Sequence, residues 1–320
     1  MKKDDQPTPL RSLDDLMAGV QAAAATKASA RAERRAHFAR VKPHPTSCVV
    51  AWVDLLGFRE QICKASTPEE FQAAFRRLRD VQEEFDKDTA SDDPNQAELN
   101  ANSGIKVIAL SDGLVLTLEV SSDCLDAEIS SFYDRMLSFL ESLRLAQARC
   151  ASVGNLVRGG IAVGYFWFQE DILLSPALVQ AYYMESKIAK NPVIVLHRKF
   201  ADELRAQKAN AGYRDEIDPM RGLFRDCEWL EEQDQSEYVM LDFMPVFLFD
   251  DDPVPFLRAY RQQLIDGREA APEGAHPKYD WLMQYAKEFV RSEIPHLESR
   301  IFDSPPSGGT LDDRDNLANI

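Results

Sequence analysis

The stretch VVAWVDLLGFR, Val49 to Arg59, decides how the rest of the chain reads. It is a run of β-forming residues with no interior Gly or Pro, and it delivers a carboxylate, Asp54, to its end. It then breaks into a Gly-containing turn over Leu55 to Arg59. A buried strand that ends on an acid and at once exposes backbone N–H groups is one way a fold holds a metal-bound phosphate.

Downstream, Ser66-Thr67-Pro68-Glu69-Glu70 is a helix start, with Thr67 as N-cap, Pro68 at the first helical position and Glu70 closing a capping box. Phe71, Ala74, Phe75, Leu78, Val81 and Phe85 continue as one apolar face and predict core packing. Asp88 to Gly104 is polar and predicts a flexible loop. Ile105 to Leu110 and Leu114 to Val120 are strand-like, and Ser111-Asp112-Gly113 between them is a hairpin signal that puts a second carboxylate, Asp112, at the tip. Asp126 to Ala148 predicts a structural amphipathic helix with Ile129, Phe132, Met136, Phe139, Leu140 and Leu143 on its apolar side.

Leu156 to Phe168 (LVRGGIAVGYFWF) predicts a strand pair or bent strand in which Gly159, Gly160 and Gly164 admit another backbone, with Tyr165 to Phe168 in core or a subunit interface. Pro176 opens a helix through Ala181, Met184, Glu185 and Ile188, and Val193 to His197 is a further strand. This alternation predicts an α+β sheet with helices on one face. Beyond His197 the signals are a strand within Tyr238 to Phe249, a helix over Pro253 to Gln263 and an amphipathic helix over Tyr279 to Val290. The implied organisation is an N-terminal arm (1–46), partly helical or loose, a catalytic domain (47–200), a C-terminal extension (201–302) packed on it and a disordered tail (303–320).

Composition bounds the function. The chain has 320 residues, 45% of them hydrophobic, and a net charge of −16, which disfavours binding of nucleic acid. A small anionic substrate would need a metal to screen it. Five cysteines without a CxxC pair suggest neither a zinc site nor a disulfide framework. With no apolar run near the length of a membrane span and no signal-peptide core, the expectation is a soluble cytoplasmic protein.

Asp54 and Asp112, on strands that can be neighbours, are what a two-metal phosphoryl-transfer site requires: divalent ions about 3.5–4 Å apart activate an attacking oxygen and clamp a leaving phosphate. On spacing alone, two turn-forming aspartates fit equally well. The motifs VDLLGF (53–58), KVIALSD (106–112), RGGIAVG (158–164) and SPALVQAYYMES (175–186), in this order and at these intervals, resemble the class III nucleotidyl cyclases, with their ferredoxin-like core. The resemblance covers residues 47 to 200. Ile108 stands where purine cyclases carry a base-reading Lys or Glu, Tyr183 matches their transition-state Arg, and Val179 matches an Asn one turn earlier. With those departures and a C-terminal KYDWLMQY helix, the chain is similar to the bacterial pyrimidine cyclases of the Pycsar antiphage systems.

The resemblance implies a homodimer with two interfacial sites that converts UTP, or alternatively CTP, to the 3′,5′-cyclic nucleotide and pyrophosphate, read by a separate effector. Asp54, Asp112 and the carbonyl of Leu55 would hold two Mn²⁺ or Mg²⁺ ions per site. Leu56, Gly57, Phe58 and Arg59 would bind phosphate through main-chain N–H groups, Arg59 also through its side chain. Lys106, Arg158 and Lys187 are candidates for the missing cation, and Tyr183 with Tyr182 for base or ribose contacts. Two other readings are a catalytically silent, nucleotide-binding cyclase-like module and an interaction scaffold docking through its basic arm.

Overall fold

The strand read from Val49 onward is longer at its start than its apolar run, and it is central to an eight-stranded sheet. The computed structural model describes residues 46–86, 105–110, 113–120, 132–169, 172–207, 222–230, 237–249 and 252–303. Residues 1–45 of the arm, the loop at 88–104, the start of the helix expected at Asp126, Asp112 and the tail after Asp303 lie outside the described residues.

In chain order the elements are β1 (Thr46–Leu55), α1 (Phe58–Lys64), α2 (Pro68–Asp86), β2 (Ile105–Leu110), β3 (Gly113–Glu119), α3 (Phe132–Ser152), β4 (Val157–Gln169) and β5 (Ile172–Leu174). There follow α4 (Pro176–Tyr183), β6 (Ile194–His197), α5 (Arg198–Gln207), β7 (Phe224–Asp226), β8 (Tyr238–Leu241), α6 (Val254–Ala270), α7 (His276–Glu293) and α8 (Glu298–Phe302). The sheet order is β2-β3-β1-β4-β6-β8-β7, with β5 folded back on β4. Every pairing is antiparallel except β4 with β6. The sheet therefore runs on past residue 200, where β7 and β8 extend it.

Several local signals act as read. Glu70 accepts from the N–H of Thr67 at 3.1 Å while its own N–H donates to the Thr67 hydroxyl, so the capping box starts α2. β2 and β3 pair across a two-residue connection, Leu110 opposite Gly113. LVRGGIAVGYFWF is one long strand, β4, whose hairpin partner β5 the sequence reading missed, as it missed α5 and β7.

Helices lie on both faces of the sheet, not one. Val49, Ala51 and Val53 of β1 join a core with α2, α3 and α5, while Cys48, Val50 and Trp52 face a second core with α4, α6 and α7. An unbroken apolar run has two apolar faces, and each needs cover. On α2 the buried residues are Ala74, Val81 and Phe85; Phe71 and Phe75 are exposed, contrary to the expectation of one wide apolar face. Phe75 lies about 100° around the helix from Ala74, outside the stripe that meets the sheet.

Gly160 of β4 is where α4 comes closest. A Cβ there would meet the Ala181 carbonyl oxygen at 2.3 Å and Met184 Cβ at 2.7 Å, neither of them a yielding side-chain tip. Near β8, the Tyr285 hydroxyl of α7 donates a short hydrogen bond to Asp242, which also accepts from the Met244 N–H at 3.3 Å. Burial pushes the Asp242 carboxyl above its ordinary value against the opposing effects of the Tyr285 hydrogen bond and the Arg225 charge.

Two outcomes follow. Gly160→Ala lowers unfolding stability by about 1–3 kcal/mol through overpacking, whereas Gly274→Ala, with open space around it, is close to neutral in the same urea titration. Because the folded carboxyl of Asp242 binds its proton more tightly than the unfolded one, its burial contributes stability at acid pH that is lost as pH rises from about 4. The stability of Asp242→Asn relative to wild type therefore climbs from pH 4 to pH 7; a pH-independent difference contradicts this.

Candidate functional site

Strand alternation aims Asp54 at the α4 and α7 face of the sheet, the same face as Trp52 two residues before it. Its cross-strand neighbours are Gly113 on β3 and Arg158 on β4. Arg158 Nε lies 3.4 Å from Asp54 Oδ2 and 2.5 Å from Glu185 Oε1. Glu185 is 2% exposed and comes from Met184–Ile188, a wider turn that continues α4 and is closed by the Ala189 N–H on the Met184 carbonyl at 2.8 Å. The arrangement is a carboxylate, guanidinium, carboxylate series in which Arg158 Nε donates to Asp54 and has Glu185 as its nearer ionic neighbour.

The turn after Asp54 is shorter than predicted. Gly57 takes φ +76° and the chain enters α1 at Phe58, so Phe58 and Arg59 are helical rather than part of the turn. Phe58 is buried in the core and Arg59 is exposed. The Leu56 N–H donates to the Leu156 carbonyl at 2.9 Å, which withdraws it from the predicted phosphate cradle. The Leu56 carbonyl accepts from Arg77 Nη2 at 3.2 Å, and the same guanidinium donates to Gln61 and Asn155 at 3.1 and 3.0 Å. Burial pushes the Arg77 pKa down. The N–H groups of Phe58 and Arg59, in the first turn of α1, have no acceptor within their own helix.

Two groups in the first turn of α7 feel the charges of this site. The half-buried Lys278 ammonium is pushed below its ordinary pKa by burial and by the Arg158 guanidinium, while the carboxylates of Asp54 and Glu185 pull it up. The next residue, Tyr279, lies in the field of Arg77 and seats its ring against Gly267 of α6, where a Cβ would meet it at 2.6 Å.

The predicted site residues thus separate. Asp54 and Arg158 come together, and Leu55 is the buried last residue of β1. Tyr182 packs edge-on against Trp52, with centroids 6.0 Å apart. Lys106 on β2, Tyr183 and Lys187 are exposed. Asp112 lies outside the described residues, although its sequence neighbour Gly113 is paired with Asp54. Among the described residues no group of three or more His, Cys, Asp or Glu side chains is placed to hold a metal ion. The sequence reading missed Arg77, Glu185 and Lys278 at this site. For Glu185 a signal existed: an acid on the buried side of an apolar helix requires a cation. For Lys278 there was none, since nothing local ties it to Asp54.

Asp54 nonetheless suits a divalent ion. Its oxygens are the hard donors that Mg²⁺ and Mn²⁺ take, and the 3.4 Å approach of Arg158 leaves its side chain 17% exposed. No helix among the described residues is long and apolar enough to cross a membrane.

No family model matches the sequence, and no curated protein matches it. Among solved structures, the crystal structure of the guanylyl cyclase Cya2 matches with a TM-score of 0.30 and 13% identity, over 62% of this chain and 92% of that one. A likeness that loose decides neither fold nor chemistry.

Proposed function

We propose that the chain is a nucleotidyl cyclase that acts on a pyrimidine, converting UTP to 3′,5′-cyclic UMP and pyrophosphate. The observation that carries this is the register that sets Asp54 opposite Gly113, so that the residue following Asp112 is the direct partner of the first acid. The strand order β2-β3-β1-β4, all antiparallel, with helices after β1 and between β3 and β4, supports a ferredoxin-like core, since it is the βαββαβ arrangement. It supports the cyclase motifs read from the sequence in the same way.

Asp54, Asp112 and the Leu55 carbonyl would hold two Mn²⁺ or Mg²⁺ ions. Bound there, the ions supply acidification of the ribose 3′-hydroxyl and charge to hold the triphosphate. In the reaction a bond forms from the 3′-oxygen to the α-phosphorus, the bridge to the β-phosphate breaks, and the hydroxyl proton leaves to solvent. The N–H groups of Phe58 and Arg59 would orient phosphate, and Arg77, through the Leu56 carbonyl, holds the turn that presents them. The buried Trp52 N–H, which has no hydrogen-bond partner among the described residues, supports a polar ligand on this face. Pyrimidine preference rests on Ile108, Val179 and Tyr183 in place of the purine-cyclase residues.

The working form would be a homodimer. Val179, Tyr182 and Tyr183 of α4 are exposed, as are Val163, Tyr165 and Phe168 of β4 and Ile172 and Leu174 of β5. Tyr183 is 53% exposed in its own subunit, so a role for it at a nucleotide is best met across an interface with a second copy. In the cell the cyclic product would act as a second messenger for a separate effector in antiphage defence.

The test is incubation with UTP, CTP, ATP and GTP and Mn²⁺, followed by separation of products. The wild type is expected to form cyclic UMP above all others, with cyclic CMP as the alternative outcome. Asp54→Asn and Asp112→Asn should each lower the yield at least about a hundredfold and leave the melting temperature within a few degrees. No cyclic product from any of the four nucleotides overturns the proposal.

A further inference from the structure

We propose that Glu185 is a positioning residue of this site: it holds the Arg158 guanidinium, and by holding it keeps the Asp54 carboxylate available to a divalent ion. The inference rests on the cyclase reading for the ion at Asp54 and on the geometry around Arg158 for everything else. It gives the wide turn after α4 a part in preparing the site.

One strand face and one helix end set that geometry. Asp54 and Arg158 are cross-strand neighbours, as are Trp52 and Gly160 two residues along each strand. Residues two apart on a strand share a face. Arg158 therefore lies on the side where Gly160 admits the Ala181 carbonyl and Met184. Glu185 follows Met184 directly and is carried in the turn Met184–Ile188, closed by an i to i+5 hydrogen bond. Such turns are rare, and many of them mark functional sites. Here the turn sets a carboxylate with a side chain only 3% exposed beside the arginine.

The two acids hold Arg158 unequally. Its Nε is 2.5 Å from Glu185 Oε1 and donates to Asp54 Oδ2 at 3.4 Å. A charge-assisted N–H···O bond is ordinarily about 2.7–2.9 Å, so the Asp54 contact is long. Releasing Arg158 from Glu185 would strand a nearly buried charge, whereas the Asp54 side chain keeps more contact with solvent, at 17%. Asp54 thus has the weaker hold on the guanidinium, and a hard divalent ion has only that weaker hold to compete with. With Glu185 neutral, the guanidinium loses its nearer counter-charge and closes on Asp54. The ion must then share the carboxylate with an arginine.

The test is Mn²⁺ binding by the full chain without nucleotide, followed by loss of the free-ion electron paramagnetic resonance signal, so that it does not depend on turnover. Wild type should bind, and Asp54→Asn should lose that binding. Glu185→Gln should bind about tenfold or more weakly, on the scale of one charge-assisted contact. Glu185→Asp keeps the charge and shortens the reach, and it should bind about threefold or more weakly; a role through net charge alone would leave it at the wild-type value. The double variant Arg158→Gln/Glu185→Gln removes the competitor with its holder and strands no charge. It should return to within about threefold of wild type, whereas a Glu185 that itself ligates the ion would leave it as weak as Glu185→Gln. If Glu185→Gln melts early, Glu185→Asp and the double variant carry the comparison. Wild-type binding by Glu185→Gln or Glu185→Asp, or a double variant that does not recover, overturns the proposal and leaves the cyclase reading standing. No Asp54-dependent binding by wild type overturns it together with the metal reading of the site. The expected binding pattern without any cyclic product refutes the cyclase reading alone.

Discussion

A carboxylate at the end of a strand covered on both faces needs a counter-charge, and the Asp54, Arg158, Glu185 series supplies it. Burying one charge without a partner costs several kcal/mol, so each member depends on the next. Arg158 is delivered by register, directly across from Asp54 on β4. Glu185 is delivered by packing, because α4 must come close enough to the sheet to set its continuation over β4. That approach exists only because Gly160 has no side chain where the Ala181 carbonyl sits. Steric fit and charge balance are therefore one constraint: the glycine lets the helix in, and the helix brings the acid that holds the arginine.

The same constraint explains what the sequence revealed. β1, the β2-β3 hairpin, the capped start of α2 and the close-approach glycines of β4 were legible because each rests on chemistry within a few residues: an apolar run, a turn, a capping box, a missing Cβ. The turn after Asp54 is two residues shorter than its sequence suggests because Gly57, in the left-handed region, caps a helix that starts at Phe58, and no side-chain cap announces that start. The single-faced sheet was wrong for a different reason. Alternation and continuity of apolar residues coexist in VVAWV, and the second face is covered by α4 together with α6 and α7, which are distant in sequence.

The composition of the site was less legible than its frame. Glu185 was visible as an acid on the buried side of a helix, but its partner was not, since Arg158 lies a strand and a hairpin earlier. The wider turn at Met184–Ile188 rests on an i to i+5 hydrogen bond that no residue type announces. Lys106 and Lys187 were plausible by charge and position, yet charge alone does not say which side of an element meets the site. Asp54 and Arg158 carried that information, because strand register fixes both neighbour and face.

The position of α7 follows from contacts far from Asp54. Along its length it is tied to the β7-β8 end of the sheet: Tyr285 to Asp242, Glu288 to Arg225 at 3.4 Å, and Trp281 edge-on to Trp229. From Lys278 to Tyr285 is seven residues, about 10 Å of helix axis at 1.5 Å per residue. β1 and β8 are three strand steps apart in the sheet order, about 14 Å. The axis from Tyr285 to Lys278 is shorter than that spacing, so helix length alone does not carry the first turn of α7 across to β1. What the buried phenol-carboxylate pair and the Glu288 contact fix is the stretch of α7 beside β7 and β8, and each depends on a strand that lies beyond the motifs read from the first two hundred residues.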